Sequence, residues 1–466
     1  MPSEPMPSEI DTLRERDIAA LLHPFTNAVA HAQTGPDVIL RGEGCRVFDH
    51  AGNAYIDGMS GMWSVGLGYS EQRLVDAAIR QMRELPFFHL FSGKSHPAAI
   101  GLAERLLGML PVPMSKAFFV NSGSEAVDSA IKLAWYHWDA RGEPRRRKII
   151  ARQRAYHGAS IGSASATGLP FMHGGFGGPA DGFIHLSCPH HWRFAGPGED
   201  EHAFSARLAA ELEAAIAREG AETIAAFIAE PVMGAGGVIL PPAGYFEAIQ
   251  QVLRRHGILF IADEVICGFG RTGCMFGIET YGITPDIMTF AKQLSSSYMP
   301  IGAVTLSEAV YEPVKAASGR RGALGLGFTN SGHPVAAAVA LEALTIYQER
   351  DVVAQVRRTS PGFLGALRRL EAHPLVGEVR GIGLIAAVEL VADKATKRMF
   401  DPVGRVAAHV MRRAYENGLI LRALPQSDAL SFCPPLFCTE AELAEIVDKF
   451  EHALDGVEAF AATLGG

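Results

Sequence analysis

Four stretches of the chain hold residue types whose spacing could do chemistry. The first is Val120–Ala126, VNSGSEA. It reads as a strand end, a Ser-Gly-Ser turn and a helix start. The free N–H groups of a helix start attract phosphate, and the Ser122 and Ser124 hydroxyls add donors; the same residues would also serve as a plain N-cap. The second is Ala155–Gly158, AYHG, where an aromatic beside a glycine turn can lie on a flat ring or simply pack on the core. The third is Leu259–Gly273, LFIADEVICGFGRTG. Here an apolar strand ends in two adjacent carboxylates, and a carboxylate at such a tip is costly unless a positive group faces it. Its glycines do not follow the strand with dinucleotide-binding spacing. The fourth is Asp286–Leu294, DIMTFAKQL, followed by SSSYMPIGA. A single lysine, Lys292, closes an apolar strand ahead of a serine-rich turn, where burial would lower its pKa and suit it to act as a nucleophile or proton carrier.

Each stretch has an ordinary structural reading when taken singly. Taken together they match the parts of one ligand: a phosphate, an aromatic ring, a protonated pyridine nitrogen and an aldehyde. That ligand is pyridoxal 5'-phosphate (PLP).

The elements that must position these residues alternate between strand and helix. Apolar strands are expected at 117–120, 148–151, 183–186, 224–229, 258–262, 287–291 and 302–306, with helices over 124–139, 203–219 and 245–255. This pattern predicts an α/β fold with a mainly parallel, doubly wound sheet, and ligands bind at the carboxyl ends of such strands. Helical periodicity also covers 74–85 and 98–110, and residues 47–57 read as two short strands about an Ala-Gly-Asn turn. After Pro334 the pattern changes to helices at 335–350, 362–370, 403–417 and 440–454, with a strand at 383–390. The expected organisation is an N-terminal arm and part of a small domain over 1–64, a large domain over 65–330, and a C-terminal small domain over 331–466. Residues 1–20, with three prolines, are expected to form a mobile arm.

With 466 residues, two domains are expected rather than one core. A net charge of −8 gives no basic face for nucleic acid. The basic run Arg145–Lys148 reads as a solvated strand entrance. No apolar run is long enough to span a bilayer, and the N-terminus has no secretory pattern. The six cysteines are scattered without a CxxC pair, as in a reducing, cytoplasmic setting. Cys188-Pro-His190-His191 lacks a second ligand pair, so no metal is expected.

From His23-Pro-Phe-Thr26 to Cys433-Pro-Pro435 the sequence resembles the class III (ω-) aminotransferases of the fold type I PLP enzymes. The shared stretches are Ala225–Gly237, Phe260–Gly270 and Met299–Ala303, with NSGSEA and the Asp263–Lys292 span the most specific. Within the family it looks most similar to pyruvate-dependent ω-amine and 4-aminobutyrate transaminases. The resemblance implies that Lys292 forms the internal aldimine with PLP and Asp263 pairs with the pyridinium nitrogen. Val265 and Tyr156 would pack on opposite ring faces, while Ser122, Gly123 and Ser124 hold the phosphate. His157, Glu230 and Phe328 would also contact the cofactor, and Thr329 would reach the phosphate in a neighbouring subunit, which implies a homodimer with shared sites. Phe25, Trp63 and Tyr156 would line the substrate pocket, and Arg422 would clamp a substrate carboxylate or swing away for an amine that has none. The chain departs from common family patterns at Ser297, where many relatives have glycine, and at Leu326 and Asn330, where histidine and tyrosine are common.

The resulting expectation is ping-pong transfer of an amino group from an ω-amino acid or primary amine to a keto acid, pyruvate by resemblance, through pyridoxamine phosphate. An aminomutase or decarboxylase on the same scaffold is the alternative, since fold and cofactor do not set reaction type. A non-catalytic PLP-fold binding protein is the third reading, and the intact Lys292, Asp263 and Tyr156 argue against it.

Overall fold

The computed structural model of the chain describes residues 7–464, with side-chain environments from Thr12 onward. Its strands are, in chain order, β1 (Ile39–Glu43), β2 (Arg46–Asp49), β3 (Ala54–Asp57), β4 (Lys116–Val120), β5 (Lys148–Arg152), β6 (Phe183–Leu186), β7 (Ile224–Ala229), β8 (Leu259–Asp263), β9 (Ile287–Phe290), β10 (Gly302–Leu306), β11 (Val376–Ile382), β12 (Ile385–Leu390), β13 (Leu419–Ile420), β14 (Arg422–Ala423) and β15 (Asp428–Phe432).

The central sheet has the order β4-β10-β9-β8-β7-β5-β6. Strand β10 runs antiparallel to both its neighbours, and the other pairings are parallel. Every residue of β7, β8 and β9 is buried. Both sheet faces are therefore covered by helices, which is why these strands read as unbroken apolar runs. The helix Gly123–Ala140 shows how one face is covered. Ser122 caps it by accepting the Glu125 N–H at 3.1 Å, and Ala126, Ala130 and Ala134, with Val127 and Ile131, bury one stripe at i, i+4 spacing against Ile149, Ala151, Ala226 and Ile228. The strand-end residues of β8 and β9 thus project from a rigid, dry support.

Two smaller sheets flank this layer, with orders β1-β2-β3-β13 and β11-β12-β15-β14. Strand β13 pairs in parallel with β3, Leu419 opposite Ile56, so the two ends of the chain share one sheet.

Four departures from sequence expectation stand out among the described residues. Residues Pro7–Ala20 form a helix rather than an arm, and its Asp17 Oδ1 lies 2.8 Å from His23 Nε2 and 3.0 Å from His31 Nε2; residues 1–6 lie outside the described region. The helix Glu308–Arg321 is hidden in the sequence because Pro313 reads as a breaker, yet Val310, Val314 and Ala317 bury a consistent face. For the same reason the helix expected from Gly362 starts at Val352 and passes through Pro361. Strands β11 and β15 are the fourth departure: β11 carries Gly377 and Gly381, and β15 is a short, fully buried run, so neither shows a period-2 signature.

The basic run is held by carboxylates, Arg145 to Glu222 at 3.1 Å, Arg146 to Glu143 at 2.7 Å and Lys148 to Glu219 at 2.9 Å. His190 contacts Glu378 at 2.8 Å, whereas His191 contacts the Glu199 carbonyl at 2.9 Å, so the adjacent histidines face different partners. Among the described residues no helix is long and apolar enough to cross a membrane.

Candidate active site

The carboxyl ends of β8 and β9 place an acid and an amine at one cavity. Gly123, Ser124, Tyr156, His157, Gly158, Glu230, Val232, Asp263, Val265, Ile266, Ala291 and Lys292 enclose about 540 Å³ of space that opens to solvent. Of the residues the sequence singled out, eight are thereby brought together from segments up to 169 positions apart.

Asp263 is buried and held on both oxygens. His157 Nδ1 lies 2.7 Å from Oδ2, while Oδ1 accepts the Thr289 hydroxyl and the Val265 N–H, each at 3.1 Å. A carboxylate oxygen without a proton only accepts, so this contact pairs it with the His157 tautomer that carries its proton on Nδ1. The β8–β9 register sets Asp263 directly opposite Thr289, which is why that hydroxyl arrives there. His157 Nε2 is buried with no hydrogen-bond partner among the described residues.

Lys292 follows β9 with a left-handed φ of 49°, and Ser296 and Ser297 are left-handed too, at 51° and 59°. The turn therefore keeps a glycine-like backbone at Ser297 without the glycine, a strained arrangement of the kind that clusters at active sites. Burial pushes the Lys292 ammonium's pKa down, opposed by the negative charges of Asp263 and Glu230. Burial likewise pushes the Glu230 carboxyl up. Glu230 accepts the Tyr156 N–H at 3.1 Å and the Gly234 N–H at 3.0 Å, and the buried Arg152 donates to its main-chain carbonyl at 2.7 Å.

The helix start at Ser122–Ser124 forms another wall. Ser124 Oγ accepts the Ala159 N–H at 3.0 Å. A Cβ on Gly158 would come within 2.6 Å of that Oγ, and one on Gly123 within 3.2 Å of Val265, so both glycines keep the backbone close to the cavity. These features fit PLP: an 18-residue helix opening on the cavity for a phosphate, a fixed carboxylate for a ring nitrogen, and a strand-end amine with no hydrogen-bond partner among the described residues for an aldehyde.

Of the substrate-side candidates Tyr156 lines this cavity, and the others lie outside its lining. The guanidinium of Arg422 sits 5.0 Å from the centre of the Trp63 ring. It is close enough to interact with Tyr156, and burial lowers its pKa. Trp63 is buried with a left-handed φ of 57°. Phe25 does not join the cavity; it is 59% exposed and meets Phe171 edge-on at 6.1 Å, in a groove with Ile161 and Phe176. Phe328 packs behind the Gly123–Ala140 helix and Thr329 is exposed, both outside this chain's own cavity. Sequence reasoning missed Thr289 and Arg152. It also left Glu264 without a role: buried beside Asp263, Glu264 accepts the Gly277 N–H at 2.9 Å and the Ile278 N–H at 2.6 Å, and burial pushes its carboxyl up to about 8. The strand period places Thr289 on β9, but only strand pairing shows that it faces Asp263.

Comparison with known proteins agrees with this geometry. Residues 28–454 match the family model for class-III aminotransferases. The chain is 48% identical over 439 residues to the mitochondrial gamma aminobutyrate transaminase 1 of Solanum lycopersicum, covering 94% of this chain and 85% of that one. It is 46% identical over 445 residues to the mitochondrial gamma-aminobutyrate transaminase 1 of Oryza sativa subsp. japonica, covering 95% and 86%. The omega transaminase of Pseudomonas jessenii solved in complex with PMP superposes with a TM-score of 0.95 at 53% identity, covering 97% of this chain and 100% of that one. The chain therefore belongs to the class-III aminotransferases, PLP-dependent enzymes of fold type I that move amino groups between an amine donor and a keto-acid acceptor.

Proposed function

We propose that this aminotransferase takes the amino group from an ω-amino acid or a carboxylate-free primary amine, passes it to pyruvate, and works as a cytoplasmic homodimer. One observation carries the substrate reading. Arg422 is half-buried beside Trp63 and Tyr156 and has no carboxylate partner among the described residues. A guanidinium kept from water is stabilised by a carboxylate that can bind it through two parallel hydrogen bonds. An acceptor such as pyruvate brings that carboxylate, whereas a simple amine requires the side chain to turn away. The names of the relatives, 4-aminobutyrate and omega transaminases, support the same donor class.

When bound, PLP supplies an aldehyde that takes up the amino group and a ring that delocalises the electron pair left by the departing proton. The protein's own residues supply the rest. Asp263, oriented by Thr289 and His157, holds a proton on the ring nitrogen. Ser124 and the neighbouring main-chain N–H groups hold the phosphate. Val265 and Tyr156 confine the ring. Lys292, its pKa lowered by burial, accepts the proton from the substrate carbon and returns it one position away.

The dimer is supported by exposed apolar side chains around the Phe25 groove, where Ile161 and Phe176 are each 84% exposed. The six free thiols support a reducing compartment. The test is a pair of half-reactions. The yellow holoenzyme is mixed with 4-aminobutyrate, β-alanine, taurine, a polyamine or an aromatic amine, and the loss of colour is followed. Pyruvate, 2-oxoglutarate or glyoxylate is then added to restore it. Restoration by pyruvate without release of carbon dioxide is expected; restoration by 2-oxoglutarate alone would overturn the acceptor assignment. Light scattering should give twice the chain mass.

A further inference from the structure

Arg154 carries an unusual combination of burial and charge. It is only 9% exposed and forms no ion pair among the described residues, and its Nη1 has no hydrogen-bond partner. Its Nη2 donates to the main-chain carbonyl of Gln426 at 3.4 Å, and its guanidinium lies 5.2 Å from the Phe194 ring centre. Burying a guanidinium is costly unless it holds something in return.

Its backbone is constrained as well. Arg154 has a left-handed φ of 67°. Its N–H donates to the Gly168 carbonyl at 2.8 Å. A Cβ on Gly236 would lie 1.9 Å from the Arg154 carbonyl oxygen, and one on Gly168 would lie 2.9 Å from its nitrogen. Two glycines thus let neighbouring backbone clamp this residue and aim its side chain. Across the seam Gln426 is also strained, with φ 125°. Two strained non-glycine residues meeting through one hydrogen bond is the kind of local cost that persists where geometry matters for function.

The place of Gln426 in the chain gives that contact its meaning. Arg422 opens a hairpin in which Arg422 lies opposite Ser431 and Ala423 opposite Leu430, with the Leu424 N–H on the Ala429 carbonyl at 2.8 Å. Gln426 is at the tip of this hairpin, and Pro425 and Ser427 bridge beside it. Arg154 is two residues from Tyr156, on the opposite wall.

We infer that Arg154 is a positioning residue: it latches the tip of the 422–432 hairpin to the large domain and thereby holds Arg422 where it receives a substrate carboxylate. The inference rests on the carboxylate role proposed for Arg422. With the latch intact the hairpin base is fixed and only the Arg422 side chain moves; without it the whole hairpin loosens and the guanidinium loses its register over Trp63.

The test compares Arg154→Leu, Gln426→Pro and Arg422→Ala holoenzymes, using pyruvate as the carboxylate acceptor and a simple aldehyde as the acceptor without one. Proline cannot adopt the φ of 125° at 426, so Gln426→Pro displaces the carbonyl that Arg154 holds while leaving the buried arginine in place, and it reads the latch even if Arg154→Leu does not fold. For both latch variants the KM for pyruvate should rise about tenfold, the scale of one charge-assisted hydrogen bond. The kcat at saturating pyruvate and the KM for the aldehyde should stay within about twofold of the parent. Arg154→Lys, which retains the charge, should recover part of the pyruvate KM. If both KM values rise together, Arg154 has a merely structural role and the latch is overturned. An unchanged pyruvate KM in Gln426→Pro and in any folded Arg154 variant also overturns it. If Arg422→Ala leaves the pyruvate KM unchanged, the carboxylate clamp itself falls; if Arg422→Ala raises it and neither latch variant does, only the latch falls.

Discussion

The two sides of the active site are built differently. On the side of the central sheet the functional groups sit at ends of fully buried strands, and Asp263 has three protein partners within 3.1 Å. On the other side Trp63 and Gln426 both have positive φ, the Trp63 indole nitrogen has no partner among the described residues, and Arg422 lies over an aromatic face with no carboxylate partner among them. The carboxylate of the first wall is preorganised for a resident cofactor, since its filled hydrogen-bond shell costs nothing to reorganise during reaction, although the turn from Lys292 to Ser297 carries backbone strain on that side too. The second wall instead holds a cation with no carboxylate partner among the described residues, which suits the proposed exchange between substrates with and without a carboxylate.

Four substitutions test this contrast, from the largest expected effect to the smallest. Lys292→Ala should lower turnover by more than about 10⁴-fold, because it removes the amine nucleophile and the proton carrier at once. Stopped-flow half-reactions and borohydride trapping read this directly, and a near-normal rate would break the assignment of the first wall. Asp263→Asn keeps the shape and the acceptor for Thr289 but loses the charge; kcat should fall about 10²–10³-fold. Loss of binding alone, with kcat kept at saturating PLP, would reduce the carboxylate to a structural anchor. Arg422→Ala should raise the KM for keto acids by about tenfold to a hundredfold and leave amines without a carboxylate nearly unchanged. Equal losses for both classes would erase the distinction between the walls.

Glu264→Gln sharpens the comparison through stability. Burial holds the Glu264 carboxyl at about 8 in the folded chain, against 4.5 ordinarily. The folded state therefore binds a proton that the unfolded chain has released across that interval. Its contribution is fully present below pH 4.5 and is lost as pH rises through 8. The parent's thermal midpoint should decline over this window, and the Glu264→Gln variant should show a flatter profile. An unchanged slope would show that this carboxyl is ionised in the folded protein.

Much of this site is legible in the chain before folding is considered. The strands ending at Val120, Asp263 and Phe290 are short apolar runs, and the residues that follow them, from Ser122 through Ser124 and at Lys292, announce themselves by type. Thr289 is invisible there because its role depends on which strand lies beside β8, and strand order is not encoded in any local period. Glu264 has no role legible in the chain, since no local period shows a loop folding back to bring the Gly277 and Ile278 N–H groups to it. The helix through Pro313 is lost to a local rule that tertiary packing overrides.

By itself the sequence determined the strands of the central sheet and the residue types that stand at their ends, because those follow from side-chain periodicity and from hydrogen bonds within a few residues. Only the tertiary structure decided that His157, Thr289 and Asp263 form one hydrogen-bonded unit, that Arg422 rests against Trp63, 359 positions away, and that Phe25 and Thr329 stand outside this chain's own cavity. Those pairings arise from sheet register and from the need to give each buried polar group a partner, and the chain meets that need with whatever residue the fold brings near.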